Sequence, residues 1–167
     1  GLRSFLNGKA DVQVAAQARN GEEALLRAEE VKPDIVIMDI TMPGMDGLEA
    51  TRKLKARQPE CLVLALTVHE DKQYFMEMLA AGASGCITKQ AAADDLMAAI
   101  RAVAAGQVYL QPALARWLLD DYQRLAKQEE AQVSARPAEN GEYAVGLDIL
   151  SQREREVLEL VGQGWNN

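Results

Sequence analysis

Short blocks of apolar residues alternate along the chain with longer stretches in which apolar positions recur every three or four residues. Val12–Ala16, Asp34–Met38 (DIVIM), Cys61–Leu66 (CLVLAL) and Gly85–Thr88 are of the first kind. Blocks of this length, apolar throughout and rich in β-branched residues, predict strands buried on both faces. Gly21–Glu30, Leu48–Arg57, Glu70–Ala81 and Ala91–Ala105 are of the second kind and predict helices. Their ends agree with that assignment. Glu22 and Glu23 place negative charge in a first turn, where the helix dipole favours it. Pro59 stops the second helix, and Gly82 and Gly106 stand where a left-handed C-cap is expected. Thr41–Gly47 (TMPGMDG) is turn chemistry. The order β-α-β-α-β-α-β-α predicts a parallel α/β sheet covered by helices on both faces. Leu2–Asn7 reads as the end of a helix ahead of the first strand. It predicts a further strand that would precede Gly1 and is missing from the sequence.

The pattern changes after Gly106. Gln111–Lys127 predicts a helix with Leu114, Leu118, Tyr122 and Leu125 at four-, four- and three-residue steps, and Trp117 beside them. Two readings stay open for this helix: packing on its own domain, or contact with a second copy. Gln128–Val145 is rich in Ala, Glu, Gln, Pro and Gly without periodicity and predicts a flexible linker. Leu150–Gly164 (LSQREREVLELVGQG) then predicts a new helix, with Ser151 as N-cap and Glu154 completing a capping box. The expected domains are 1–106, a connection over 107–147 that is helical and then flexible, and the start of a second, all-α unit over 148–167.

Composition narrows the classes. Of 167 residues, 49% are hydrophobic and 26% charged, the balance of a globular chain. No apolar run reaches the ~18–20 residues that cross a bilayer. Cys61 and Cys86 are too few for a disulfide scaffold and lack CxxC spacing, so a reducing, cytoplasmic setting is expected. The net charge is −7. Residues 1–127 carry 15 Lys and Arg against 17 Asp and Glu, and residues 128–167 carry 3 against 8. A nucleic-acid surface should be basic. Sequence-specific DNA binding is therefore not expected of residues 1–167 alone.

The candidate chemistry lies at successive strand ends. Asp39 follows one predicted strand, Thr67 the next and Lys89 the one after. In open parallel sheets, ligands bind beyond the carboxyl ends of the strands. A carboxylate, a hydroxyl and an ammonium gathered there suit a phosphoaspartate. The acid attacks phosphorus, the hydroxyl donates to a phosphoryl oxygen, and the ammonium offsets the charge. Each residue alone is a common turn or strand-end residue. The combination, with MPGMDG just downstream, is specific.

Three segments, PDIVIMDITMPGMDGLEA (Pro33–Ala50), LALT (Leu64–Thr67) and AGASGCITK (Ala81–Lys89), resemble the receiver domain of two-component response regulators. LSQREREVLELVGQG resembles the opening helix of a LuxR-type helix-turn-helix domain. Together they resemble the NarL/FixJ subfamily of DNA-binding regulators. The resemblance implies a flavodoxin-like fold with strand order 2-1-3-4-5, its first and central strand being the one missing here. It implies a histidine kinase as phosphoryl donor, Asp39 as phosphoacceptor, Thr67 as switch hydroxyl and Lys89 as the paired lysine. It also implies Mg²⁺ held by Asp39 and the Thr41 backbone carbonyl, with an acidic pair that this chain lacks. DNA is implied as a partner of the complete protein, and homodimerisation on phosphorylation. Thr41 and His69 fall where the family tunes access to the acyl phosphate, and His69 reads as a bystander. Cys86 replaces the family's switch aromatic and reads as a small buried hydrophobe. Gln90 stands where many receivers have a cis proline, so a trans bond is expected.

The expected function is a phosphorylation-switched transcription regulator and not an enzyme. Two alternatives stand beside it. One is a receiver-like interaction module that takes no phosphate. The other is an aspartyl-phosphate hydrolase, which usually needs a second acid where Thr41 stands. Lacking its central strand, the chain is expected to show an empty slot between Val12–Ala16 and Asp34–Met38, and to be unstable for that reason.

Overall fold

Each central strand carries apolar side chains on both sides, so helices must cover both faces of the sheet. The computed structural model describes residues 2–68, 72–133 and 155–160, the last as backbone only. In chain order the elements are α1 (Leu2–Asn7), β1 (Val12–Ala18), α2 (Gly21–Val31), β2 (Ile35–Asp39), α3 (Gly47–Arg57) and β3 (Leu62–Thr67). They continue as α4 (Lys72–Ala81), β4 (Gly85–Thr88), α5 (Ala93–Ala104), β5 (Tyr109–Leu110), α6 (Pro112–Val133) and β6 (Arg155–Leu160). The six strands form one parallel sheet in the order β1-β6-β2-β3-β4-β5.

Alternation along the strands divides the core in two. Val36 and Met38 of β2, Val63 and Ala65 of β3, and Cys86 of β4 pack with α2, α3, α4 and the start of α6. Ile35 and Ile37, Leu64 and Leu66, and Ile87 pack with α1 and α5. Full burial of one such side chain stabilises by about 1.5–3 kcal/mol. Local chemistry fixes the helix ends. The Asn20 side chain accepts from the Glu23 N–H at 2.8 Å, and Glu23 reaches back to accept from the Arg19 N–H at 2.9 Å. At the other end of α2, Lys32 adopts a left-handed φ of 45° and its N–H donates to the Ala28 carbonyl. The Lys55 ammonium donates to the Pro59 and Cys61 carbonyls, holding the turn into β3.

The slot expected to be empty is filled. Arg155–Leu160 runs parallel to both neighbours, opposite Val12–Ala18 on one side and Ile35–Ile37 on the other. The helix expected over Leu150–Gly164 is thus corrected to a strand over Arg155–Leu160, and the remainder of that segment lies outside the described residues. The physical reason is competition between weak and strong preferences. Helix propensities differ by under about 1 kcal/mol per residue. A strand between two open edges satisfies backbone donors and acceptors on both. The instability expected from unpaired edges loses its ground, because both edges are paired.

Two further differences concern the segment after α5. The two-residue strand β5 pairs with β4 at Gly85–Cys86 and was not foreseen. α6 runs to Val133, so residues 128–133, expected as flexible linker, are helical.

Candidate functional site

β2, β3 and β4 end in a staggered row. Asp39 pairs with Leu66, one residue before Thr67, and Thr67 pairs with Thr88, one residue before Lys89. Register alone therefore brings the predicted acid, hydroxyl and ammonium to one edge. The backbone locks the stagger: the Ile40 N–H donates to the Leu66 carbonyl at 3.1 Å, and the Lys89 N–H to the Thr67 carbonyl at 2.9 Å.

Asp39 is fully buried, Lys89 is partly buried, and Lys89 Nζ lies 2.8 Å from Asp39 Oδ2. The contact is a charge pair and lies off the hydrogen-bonding direction, so Oδ2 receives no directed hydrogen bond. The other oxygen, Oδ1, accepts from the Thr41 N–H at 3.0 Å. Thr67 is buried in the same row, but its hydroxyl donates to the Val68 carbonyl at 3.1 Å. The structure thus joins Asp39, Thr41 and Lys89 by contact, and Thr67 by register. His69 lies outside the described residues. The Lys89–Gln90 peptide is trans, as the absence of proline predicts.

Cys86 lies in the core cluster with Phe75, Met78 and Leu114. Burial pushes its thiol pKa up to about 12, and that of Cys61 to about 12 as well. Neither thiol is nucleophilic at neutral pH, since the thiolate is the reactive form.

Two contributors escaped the sequence reading. Gln111 accepts a hydrogen bond from the Thr88 N–H through its side-chain oxygen at 2.6 Å. It thereby ties the start of α6 to the strand that carries Lys89. The second is Gly47, the first residue of α3. A Cβ added there would lie 2.8 Å from Ile40 Cα and 2.9 Å from the Asp39 carbonyl carbon, and would run into the Asp39 carbonyl oxygen. All are backbone atoms that cannot swing away. The glycine after Asp46, whose side chain caps α3 by accepting from the Glu49 N–H at 2.8 Å, was the available signal. Gly→Ala in a helix normally stabilises by about 0.5–1 kcal/mol. At Gly47 the sign reverses: Gly47→Ala is expected to destabilise by about 1–3 kcal/mol through overpacking. Thermal unfolding checks this, and an unchanged or raised Tm would refute the close approach.

Mg²⁺ binds receiver domains generally at the phosphorylation site. Such a hard cation takes carboxylate, carbonyl and water oxygens. Here Asp39 already meets Lys89 and the Thr41 N–H, and no group of three His, Cys, Asp or Glu residues suited to a metal occurs among the described residues. The described residues do not by themselves complete a Mg²⁺ site.

The family model for the response regulator receiver domain matches residues 1–101. The transcriptional regulatory protein DegU of Brevibacillus brevis is 38% identical over the whole of this chain, which covers 71% of that relative. The oxygen regulatory protein NreC of Staphylococcus epidermidis is 34% identical, again over the whole chain and 73% of the relative. Among solved structures, a LuxR-family two-component response regulator from Aurantimonas sp. SI85-9A1 superposes with a TM-score of 0.67 at 32% identity. That match covers 72% of this chain and 86% of the other. The chain belongs to the response regulator family, in its NarL/FixJ branch. Its function is that of a two-component response regulator in phosphorylation-dependent control of transcription, and its sheet is the flavodoxin-like receiver fold. No helix among the described residues is long and apolar enough to cross a membrane.

Proposed function

We propose that Asp39 is the residue that takes the phosphoryl group, with a histidine kinase as donor. The observation that carries this is the buried Asp39 carboxylate facing Lys89 Nζ at 2.8 Å, at the carboxyl edge of the sheet. A carboxylate oxygen of Asp39 forms the new O–P bond as the P–N bond of a phosphohistidine breaks, and the histidine keeps the electron pair. The product adds about −1.5 to −2 charge at neutral pH, by analogy with other phosphorylated side chains. Lys89 is placed to shift from the carboxylate to a phosphoryl oxygen, a charge-assisted contact. The Thr67 hydroxyl can reach the same group only by leaving the Val68 carbonyl. That rotation would connect chemistry at Asp39 to the backbone between β3 and α4. The proposal extends to DNA as the output partner and to a cytoplasmic location. DegU and NreC bear names of transcriptional and oxygen regulation, which support this reading.

The test is trapping of the acyl phosphate. Full-length protein is incubated with acetyl phosphate and MgCl₂, then reduced with borohydride, which converts an aspartyl phosphate to homoserine. Peptide mass spectrometry should find homoserine at position 39. Homoserine at another aspartate, with none at 39, would overturn the assignment.

A further inference from the structure

α6 has two apolar sides, and among the described residues only one is packed. Leu114 is buried in the core, and Trp117 lies against Phe75 of α4, with ring centroids 5.8 Å apart and planes inclined at 60°. Those two residues answer the question left open for Leu114: it belongs to its own domain. A second stripe points away from the sheet. Leu118, Leu119, Tyr122 and Leu125 are exposed by 37, 54, 68 and 48%. Steps of three, four and seven residues put them on one side of the helix. Ala115 and Ala126, both partly exposed, flank them on the same side.

We propose that this stripe pairs with the same stripe of a second copy, antiparallel, about a two-fold axis at Tyr122. The argument is self-complementarity, which a two-fold interface demands. Centring an antiparallel pair on Tyr122 sets Leu119 opposite the partner's Leu125, and Leu118 opposite the partner's Ala126. Charge follows the same register. Arg116 is exposed on the flank of the stripe, with no partner among the described residues. In the antiparallel pair it comes level with the partner's Gln128, with the partner's Glu129 and Glu130 one and two residues along. At 1.5 Å per residue those acids are displaced by about 1.5 and 3 Å along the axis, within reach of an arginine. A parallel pair would instead set Arg116 level with Arg116, and Asp120 with Asp120. A two-helix contact of this length falls at the small end of protein interfaces. The pairing is therefore expected to be reversible, with monomer and dimer in equilibrium. It requires no phosphoryl group, so it stands or falls independently of Asp39.

Sedimentation velocity over a concentration series, on the unphosphorylated chain, should show a monomer–dimer equilibrium. Leu119→Asp should weaken it at least tenfold. Arg116→Glu should weaken it too, and Arg116→Glu combined with Glu129→Lys and Glu130→Lys should restore it. Cysteine crosslinking fixes the direction. Tyr122→Cys lies on the axis and should oxidise to a disulfide-linked dimer. Leu118→Cys should not, because antiparallel copies of that position are offset by eight residues, or about 12 Å, beyond disulfide reach. The two native cysteines are buried and give no background. Both substituted sites are exposed, and circular dichroism checks that each variant is folded. A monomer up to millimolar concentration would overturn the proposal, including the case in which a later segment of the same chain covers the stripe. Crosslinking at 118 as fast as at 122 would overturn the antiparallel register.

Discussion

Asp39→Asn is expected to abolish phosphoryl transfer to this protein while leaving its fold in place. The amide keeps the volume of the carboxylate and keeps an oxygen to accept from the Thr41 N–H, now at 3.0 Å from Oδ1. What it loses is charge and nucleophilicity: an amide offers no carboxylate oxygen for an O–P bond. Removing one partner of a fully buried ion pair costs about 3–5 kcal/mol. Here the penalty is smaller, because Lys89 retains some exposure and its long stem can carry the ammonium to water. The Asn variant should therefore unfold within a few degrees of the parent and take up no label from radioactive acetyl phosphate. Equal labelling of the two proteins would remove Asp39 from the chemistry. A variant that fails to fold would assign Asp39 to structural support instead.

The second large effect concerns β6. A chain ended at Val133 should lose its cooperative thermal transition and its near-ultraviolet dichroism. β6 is bonded on both sides, along six positions of β1 and three of β2. Its removal leaves β1 apart from the rest of the sheet and exposes ladder groups on two facing edges. Each buried donor or acceptor left unpaired costs about 1–3 kcal/mol, against a typical total stability of about 5–15 kcal/mol. A handful of such groups is enough. Addition of a peptide spanning residues 151–164 should restore part of the dichroism, as strand addition to an open edge allows. A shortened chain that still melts cooperatively near the parent Tm would show that the sheet closes without this strand.

These outcomes also mark how far the amino-acid pattern reaches. β2, β3 and β4 were legible because two-sided burial leaves no polar position inside them, and strands of that kind have one role in a parallel sheet. Asp39, Thr67 and Lys89 were legible for the same reason: once three adjacent strands are placed, their ends meet. β6 was not legible, because Ser151 and Glu154 carry a helix-start signal that is local, whereas the partners of Arg155–Leu160 lie far away in sequence. β5 is two residues long and has no period to detect. Residues 128–133 are mostly polar and would not hold a helix by burial. They extend one already nucleated, which costs less than starting a new one. Gly47 was visible only as a turn glycine, since a close approach between backbones leaves no hydrophobic trace.

The hydrogen bond from the Thr88 N–H to Gln111 makes α6 a pointer mounted on the strand beside the charge pair. Thr88 immediately precedes Lys89, so a backbone shift at Lys89 would act at the pivot of a rod 22 residues long. At 1.5 Å per residue the rod measures about 33 Å, and a tilt of about 5° at Gln111 sweeps its far end through roughly 3 Å. A displacement too small to break a hydrogen bond at the sheet edge becomes, at Val133, as large as the rise of two helical residues. The far end of α6 would thus register a change at the sheet edge on a scale larger than the change itself.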